Sequence, residues 1–388
     1  MKNKNKVSLK KDALLYTIFT FLIAGLLYIL FVNISILHPF GKAFEDFNFT
    51  DVFYAERFND EERNEKIVLV NVKHASRFKI AEAIDKLAAQ KPKAIGLDIV
   101  FKEKKLHYTD SLLKNVLLKH DNIVTSFYHD NDSLVKNNNY FNNKDAIEGY
   151  INLNLENRKT VIRDFIGIKG SENNELSFAT QLALTSGYIT MDYVKKELNH
   201  PVPINYIGNK DIFLNFDIED IINSEKIPAI KESIVIMGYL GDDNDPFDIE
   251  DKHFTPLNKT WVGKAIPDTY GAVIHANILN MMMKKNLIYR LPTLVTYIIA
   301  FAFTYIIMLL VLKLFKKNSL VFDLTEKVIQ LLISIVLLYL ALLILQFNIH
   351  INIFPIILLP ILGIEMIDLY EHLVIYLNKK FKWKSQLL

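Results

Sequence analysis

Long uncharged apolar runs stand near both ends of the chain, and they limit its fold more than any other feature. The first run covers residues 13–33 and reads ALLYTIFTFLIAGLLYILFVN. A helix of about 20 apolar residues crosses a hydrocarbon core of about 30 Å. The basic residues 1–12 before it are also typical of a signal peptide, but the run exceeds a signal's apolar region and no small-residue cleavage pattern follows closely. We therefore predict an uncleaved membrane anchor.

Three further runs near the carboxyl terminus predict three more membrane-spanning helices. The predicted spans are residues 291–312, 328–347 and 351–370. Between the first two, residues 313–327 carry four lysines and are predicted to form a loop, and residues 371–388 form a basic tail. With the anchor, the chain is predicted to cross the membrane four times.

The lysines set the predicted orientation, because positively charged segments stay on the cytoplasmic side. Four crossings place the amino terminus, the 313–327 loop and the tail on that side, and they leave residues 34–290 on the other. With three crossings, these three basic segments would not all lie on one side of the membrane. We expect a multi-pass protein of the inner (cytoplasmic) membrane, with both termini in the cytoplasm and an extracytoplasmic domain at 34–290.

Residues 34–290 have the pattern of an α/β domain. Short apolar runs alternate with amphipathic segments, which indicates a mixed sheet with helices on both faces. The chain has no cysteine, so it has no disulfides or thiolate metal ligands, and its net charge of +2 gives no indication of nucleic-acid binding. The predicted strands are 67–72, 94–101, 123–128, 212–216 and 233–240, the predicted helices are 78–90, 109–120 and 177–186, and a loop is predicted at 129–147.

Four short motifs follow one another in this domain. They are KPKAIGLDIVF at 91–101, NRKTVIRDF at 157–165, IVIMGYLGDDNDPFDIEDKHFTP at 234–256 and GAVIHAN at 271–277. In this order, between an anchor and clustered spans, they resemble the CHASE2 family of extracytoplasmic sensory domains from bacterial membrane receptors. The resemblance implies a sensor.

Two departures from the family pattern affect this expectation. The segment NVKHASR at 71–77 lacks the acidic residue and the tryptophan element that the family often has after its first strand. Family members also commonly continue into an enzymatic output domain, whereas this chain ends soon after its last apolar stretch. We therefore expect a cytoplasmic effector protein that acts in trans.

The acidic segment 242–251 is a candidate site for a divalent cation, because hard cations bind several carboxylates on one flexible loop. The candidate ligands are Asp242, Asp243, Asp245 and Asp248. Their spacing differs from that of an EF-hand, and a solvated acidic loop needs no metal. Both interpretations stay open, and we expect no other cofactor.

Asp98, Arg163 and His275 are the candidate ligand-binding residues. Asp98 lies near the carboxyl end of a predicted buried strand, where open α/β sheets bind ligands. A buried carboxylate needs a partner, and pairing with Arg163 would instead make a structural ion pair. His275, in an apolar helical stretch, is either a hydrogen-bonded core histidine or a ligand-binding residue. No second ligand at i+4 completes a zinc pair.

Two helical segments are suited to relay a signal. Residues 268–287 have an apolar face and end just before the second span. The last apolar segment continues past Gly363 without a helix breaker and carries Glu365, Asp368 and His372 on one face, as candidate residues for relay to a partner. Four apolar positions with heptad-like spacing could support a homo-oligomer or a partner helix, namely Ile367, Tyr370, Val374 and Leu377.

Three functions remain open at this point. The motifs of lipases, zinc proteases, P-loop NTPases and dinucleotide-binding enzymes are absent, so we expect no enzyme. The first function is a membrane receptor, the second is an envelope scaffold or assembly subunit, and the third is a transporter or channel subunit. The third is the weakest, because Glu365 and Asp368 alone offer charge within the predicted spans.

Overall fold

The computed structural model describes residues 9–33, 50–56, 63–130, 133–142, 146–153, 161–170, 174–242, 248–259, 266–317, 319–385 and 387. The chain divides into two compact units. A helical unit comprises residues Met1–Ala43 and Tyr289–Leu388, and an α/β unit comprises Phe44–Ile288.

The α/β unit alternates strands with short helices. Its main strands are β1 (Asn64–Asn71), β2 (Ala94–Leu97), β3 (Ile123–Asp130), β4 (Ser133–Val135) and β5 (Ile147–Tyr150), followed by the two-residue strands β6 (Asp164–Phe165), β7 (Ile168–Lys169), β8 (Glu175–Leu176) and β9 (Val202–Pro203), then β10 (Phe213–Asp217), β11 (Ile234–Gly238), β12 (Lys252–His253) and β13 (Thr269–Tyr270). Helix α1 (Leu9–Asn33) belongs to the helical unit. The helices of the α/β unit are α2 (Asp51–Ala55), α3 (Arg77–Ala89), α4 (His107–Lys119), α5 (Phe178–Thr185), α6 (Met191–Glu197), α7 (Ile218–Asn223) and α8 (Gly271–Met283).

The central sheet is mixed, as predicted. Its order is β10-β1-β11-β2-β3, and β3 then pairs with β5 and with β4. All of these pairs are parallel except β3–β4, which is antiparallel. Strand β4 lies inside the segment predicted as a loop at 129–147, so that prediction was wrong there. The carboxyl ends of β1, β11 and β2 therefore lie side by side at one edge of the sheet.

Helices cover both faces of the sheet, because alternate strand residues point to opposite sides. Ile95 and Leu97 pack with Ile84 of α3 in one apolar core. Gly96, between them, lies against Phe178 of α5 on the other face. Helix α3 begins after Ser76, whose hydroxyl accepts a hydrogen bond from the Lys79 amide (3.4 Å), as at a typical N-cap.

Helix α8 is buried along nearly its whole length, which exceeds the amphipathic face predicted for 268–287. Its polar residue Asn277 is fully bonded in the core. The Asn277 side chain accepts from the Ile207 amide (2.8 Å) and donates to the Gly208 carbonyl (3.0 Å). Such bonding is what a buried amide requires.

The helical unit contains three helices that are long and apolar enough to cross a membrane. The elements are α1, β14 (Tyr289–Arg290), α9 (Thr293–Lys317), α10 (Ser319–Leu345), β15 (Ile349–His350), α11 (Phe354–Glu365) and α12 (Ile367–Phe381). The candidate membrane spans within them are Leu9–Leu30, Thr293–Lys316 and Thr325–Leu345. Helices α9 and α10 extend well into the predicted 313–327 loop.

The predicted span 351–370 is not one helix. A break at Met366 separates α11 from α12, which corrects the prediction of an uninterrupted helix past Gly363. Helix α11 has 12 residues, and at 1.5 Å per residue it extends only about 18 Å. This is shorter than a hydrocarbon core of about 30 Å.

The heptad-like face of α12 packs inside the helical unit. Ile367, Tyr370 and Val374 are buried in one core with Ala13 and Tyr16 of α1. The Tyr16 ring stacks on the Tyr370 ring with centroids 4.3 Å apart, and the Tyr16 hydroxyl donates to the Gly363 carbonyl. Three of the four positions on this face are therefore covered by the chain's own helices, and a role in an oligomer or partner contact stays a prediction.

Candidate ligand site at the carboxyl edge of the sheet

Asp98 directly follows β2 at the edge where the parallel strands end. Its amide donates to the Met237 carbonyl (2.9 Å), which extends the β2–β11 ladder by one residue. Its side chain lies beside Gly238, the last residue of β11. A Cβ atom on Gly238 would stand only 2.8 Å from the Ala272 Cβ, so glycine is needed for helix α8 to approach this strand end. The same Cβ would be in ordinary contact with the Asp98 Oδ2 at 3.5 Å.

Asp251 brings a second carboxylate to the same edge. Its carbonyl accepts a hydrogen bond from the Gly271 amide at the start of α8 (3.1 Å). A Cβ atom on Gly271 would lie 2.9 Å from the Asp251 Oδ2, so the carboxylate lies directly against the helix start. Asp251 has a φ of 54°, a left-handed conformation that aspartate tolerates better than most residues. The antiparallel pair β12–β13 holds this turn in place.

The two carboxylates interact electrostatically. Burial, together with the charge of Asp251, raises the pKa of Asp98 to about 8. No described residue donates a hydrogen bond to the Asp98 carboxylate. Beside Asp251, the His253 Nε2 atom lies 3.5 Å from Asp251 Oδ1. Asp98 is thus a carboxyl group that receives no hydrogen bond or ion pair from the described residues, and with this pKa it keeps its proton at pH 7.

His275 supplies a buried polar atom near these carboxylates. Its side chain is 3% exposed, and its Nδ1 has no hydrogen-bond partner in the part of the chain that the structure describes. The centroids of the His275 and Phe178 rings lie 5.2 Å apart, and the two rings pack edge to face. Burial lowers the pKa of His275 to about 4, against the opposing effect of Asp251. The ring is therefore neutral at pH 7, and the expected hydrogen-bonded core histidine is instead a buried one with an unsatisfied Nδ1.

Arg163 does not pair with Asp98. Its guanidinium binds Asp51 at the start of α2, with Nε 2.8 Å from Oδ1 and Nη2 2.6 Å from Oδ2. Both side chains are largely buried. Arg163 is thus half of a bidentate ion pair that ties α2 to the segment before β6, and the alternative in which it pairs with Asp98 does not apply.

Only part of the acidic segment 242–251 lies among the described residues. Asp248 accepts hydrogen bonds from the Tyr239 hydroxyl (2.7 Å), the Asp242 amide (3.2 Å) and the Glu250 amide (2.8 Å). The Tyr239 bond is the main reason that the pKa of Asp248 lies below its usual range. Asp243 and Asp245 lie outside the described residues. Among the described residues, no group of three His, Asp or Glu is placed to hold a metal ion. The cation site at this loop stays a prediction.

The end of β1 is bonded internally where the family often has an acidic residue. Asn71 donates from Nδ2 to the Gly241 carbonyl (2.8 Å) and accepts at Oδ1 from the Leu240 amide (2.9 Å). The Lys73 ammonium lies 2.7 Å from Asp217 Oδ2. The Asn71 bonds hold the end of β1 to the segment after β11, and the Lys73 pair holds it to the end of β10.

The predicted relay residues in the helical unit are separated by the break at Met366. Glu365, at the end of α11, accepts from the Lys327 ammonium and from Gln330 Nε2 (2.8 Å) on α10. Asp368 and His372 are exposed on α12, and His372 Nδ1 lies 2.7 Å from the Asp368 carbonyl. Glu365 thus joins two helices, while the other two face outward from them.

Sequence reasoning missed Asp251 as a site residue. Asp251 stood in the acidic run beside the predicted metal ligands, but it is the residue that meets Asp98 and α8. The available signal was its position two residues before His253, in the motif that ends in TP.

Three helices that are long and apolar enough to cross a membrane, together with a separate α/β unit, define a class, that of membrane proteins with a globular domain. A model of the CHASE2 domain family matches residues 60–314, which is more than half of the chain. The chain belongs to the CHASE2 family, a family of sensory domains. A search of curated proteins and a search of solved structures each found no match.

Proposed function

We propose that this protein is the membrane-bound subunit of a receptor. Its domain at 34–290 detects a ligand or partner at the site of Asp98, Asp251 and His275, and its helices pass the change to a separate cytoplasmic effector. The observation that carries the proposal is Asp98, a carboxylate at a strand end that no described residue compensates. Uncompensated carboxyls of this kind cluster at functional sites, because folding alone does not select them.

Four membrane crossings are part of the proposal. The β14–β15 pair joins residues 289–290 to 349–350, so the start of α9 and the start of α11 lie at one end of the helical unit. The pair of Lys327 and Glu365 joins the first third of α10 to the end of α11. Helix α11 therefore leads from that end toward the opposite end, where the lysines of the α9–α10 connection lie, and α12 follows at this lysine-rich end. By the distribution of positive charge, that end is cytoplasmic.

This topology supports a cytoplasmic contact surface on α12. Its inner face is buried in the helical unit, whereas Asp368 and His372 remain exposed. Deletion of residues 365–388 would remove buried side chains and damage the helical unit, so single-site probes are the better test.

The test places a photoactivated cross-linking residue at Asp368 or at His372 in the full chain, expressed in its native host. The expected result is one discrete cross-linked cytoplasmic protein from both positions. The matched control is Phe354, which is 65% exposed and lies at the opposite end of α11. If neither α12 position captures a cytoplasmic protein, the receptor proposal fails. Capture of envelope proteins alone would favour the scaffold.

A further inference from the structure

A groove lies between α9 and α10, at the end of the helical unit where the chain passes from one helix to the other. Its volume is 520 Å³. Leu310 and Leu314 line it from α9, and Ile329 and Ile333 line it from α10. Ile364 of α11 also lines the groove and is buried, so α11 closes its inner side. The groove is thus an apolar space between two candidate membrane spans.

The apolar lining indicates what kind of molecule fills the groove. Water does not fill an apolar cavity, because it finds no hydrogen-bond partners there. An empty groove would forfeit the dispersion contacts of the side chains along it. Because α9 and α10 are candidate spans, the solvent around them at this depth is lipid hydrocarbon. The lining therefore favours a hydrocarbon chain as the occupant.

The size of the groove favours an acyl chain over a protein helix. The lining positions on α10 extend from Phe322 to Ile333, which is about 17 Å along a helix. A helix of this length that is about 10 Å across takes up about 1,300 Å³, whereas the groove holds 520 Å³. A methylene chain is much narrower, since carbon atoms in contact stand about 4 Å apart. Such a chain fits along the groove without displacing α10.

One basic and one acidic side chain also line the groove. Glu326 pairs with the Lys327 ammonium at 3.1 Å. Lys313 is exposed, and no residue in the described part of the chain forms an ion pair or a hydrogen bond with its ammonium. Lys313 lies three residues before the end of the candidate span Thr293–Lys316, so its long side chain reaches the level of the lipid headgroups. The groove therefore combines an apolar lining with an uncompensated positive charge.

We propose that the groove binds one anionic phospholipid of the cytoplasmic leaflet. An acyl chain lies between Leu314 and Ile329, and the headgroup phosphate binds the Lys313 ammonium. Basic pockets between spanning helices bind such headgroups, and the phosphate supplies the charge-assisted hydrogen bonds that Lys313 lacks. The lipid then joins α10 to α9 and α11. This inference goes beyond the receptor role and needs only that α9 and α10 span a membrane with their lysine-rich ends in the cytoplasm.

The test is native mass spectrometry of the full chain, purified in detergent, delipidated and titrated with single lipids. Phosphatidylglycerol is the anionic probe, and phosphatidylcholine with identical acyl chains is the zwitterionic control. We expect one phosphatidylglycerol per chain to saturate a first site before further lipids add at random. Its apparent affinity should exceed that of phosphatidylcholine about fivefold, as for one lysine at an anionic lipid surface.

Two variants test the headgroup contact and the acyl-chain contact separately. Lys313→Gln should lower the affinity for phosphatidylglycerol about fivefold, to that of phosphatidylcholine. Its control, Lys379→Gln, removes the same charge from the exposed last turn of α12 and should change neither affinity. Ile329→Trp fills the groove and should weaken both lipids at least about tenfold, since the burial of about two methylenes corresponds to that factor. Its control, Ile335→Trp, adds the same bulk at a position of α10 that is 54% exposed and outside the groove.

Several results would overturn the inference. Lipids that add at random without a saturating first site are annular lipids only. Equal affinities for the two lipids, or no effect of Lys313→Gln, exclude the headgroup contact, and undiminished binding in Ile329→Trp excludes the groove. A dimer that binds no lipid and that Ile329→Trp dissociates would assign the groove to a second copy of the chain.

Thermal unfolding in detergent without lipid shows whether each variant is folded. If Ile329→Trp is not, Leu314→Trp fills the same groove from α9, where Leu314 is 42% exposed. The cross-linking at α12 is a separate measurement. A retained cytoplasmic cross-link with no lipid site removes this inference and leaves the receptor, whereas loss of the cross-link alone removes the receptor and leaves the lipid site.

Discussion

Replacement of Asp98 by asparagine should stabilise the folded protein, although substitutions of partly buried charged residues usually destabilise. The reason is that the folded state raises the pKa of Asp98 to about 8, from 3.8. The folded protein therefore binds a proton at Asp98 more tightly than the unfolded chain does. Between about pH 4 and pH 8, the free energy of unfolding falls as the pH rises. Asparagine does not ionise, so the variant should lose this fall.

The magnitude follows from the size of the pKa shift. Each pKa unit corresponds to about 1.4 kcal/mol, which gives an upper limit of about 4 kcal/mol at pH 7. Part of the shift is repulsion shared with Asp251, and Asp98 keeps partial contact with water. We therefore expect Asp98→Asn to gain about 1–3 kcal/mol at pH 7. For a unit of this size, the gain corresponds to about 3–10 °C in the unfolding midpoint.

The assay is thermal unfolding of the full chain in nanodiscs at several pH values. Asp110→Asn is the matched control, because Asp110 is buried and binds the Arg77 guanidinium at 2.5 Å. Burial opposes the ionisation of Asp110, but Arg77 and the Lys105 amide overcome it and hold its pKa below the usual range. The stability that ionised Asp110 contributes is present at neutral pH and is lost as the pH falls through that lowered pKa. Asp110→Asn should therefore destabilise the protein at pH 7. If Asp98→Asn also loses about 1 kcal/mol or more at pH 7, Asp98 has a structural partner and the site is wrongly assigned.

Three other substitutions test the structure by protease resistance or thermal unfolding. Arg163→Met should lower the free energy of unfolding by about 3–5 kcal/mol, because it leaves Asp51 buried without its cation. The added change Asp51→Asn should recover part of this loss. A loss under about 1 kcal/mol would mean that the pair is exposed to solvent. Gly238→Ala should cost about 1–3 kcal/mol, since its Cβ would stand 2.8 Å from the Ala272 Cβ; an unchanged midpoint would mean that α8 packs less closely. Ile367→Ala should cost about 2–5 kcal/mol, as for a core residue, and a neutral result would place α12 away from the helical unit.

The proposed site explains why the carboxyl edge is both strained and open. Asp251 adopts a left-handed backbone conformation beside a glycine, and Asp98 lies next to another glycine. Such features cost stability, and proteins retain them chiefly at functional sites. The neighbouring end of β1 contrasts with this edge, because Asn71 is bonded on both of its side-chain atoms.

Local patterns in the sequence determined the membrane anchor, the two following spans and most strands and helices. The helix predicted at 78–90 is Arg77–Ala89, and the strand predicted at 233–240 is Ile234–Gly238. These predictions succeed because the length of an apolar run and the period of its side chains depend only on neighbouring residues. The order of four short motifs likewise indicated the CHASE2 family, which the match to residues 60–314 confirms.

The tertiary structure alone decided which residues meet. Strand β11 inserts between β1 and β2, and this insertion brings Gly238 and the turn at Asp251 beside Asp98. Arg163 pairs with Asp51, 112 positions earlier in the chain. The face of α12 that looked suited to a partner is covered by α1, from the opposite end of the sequence. No periodicity encodes such contacts, because the pairing of distant segments depends on how whole elements pack, and the free energy of that packing is shared across the core.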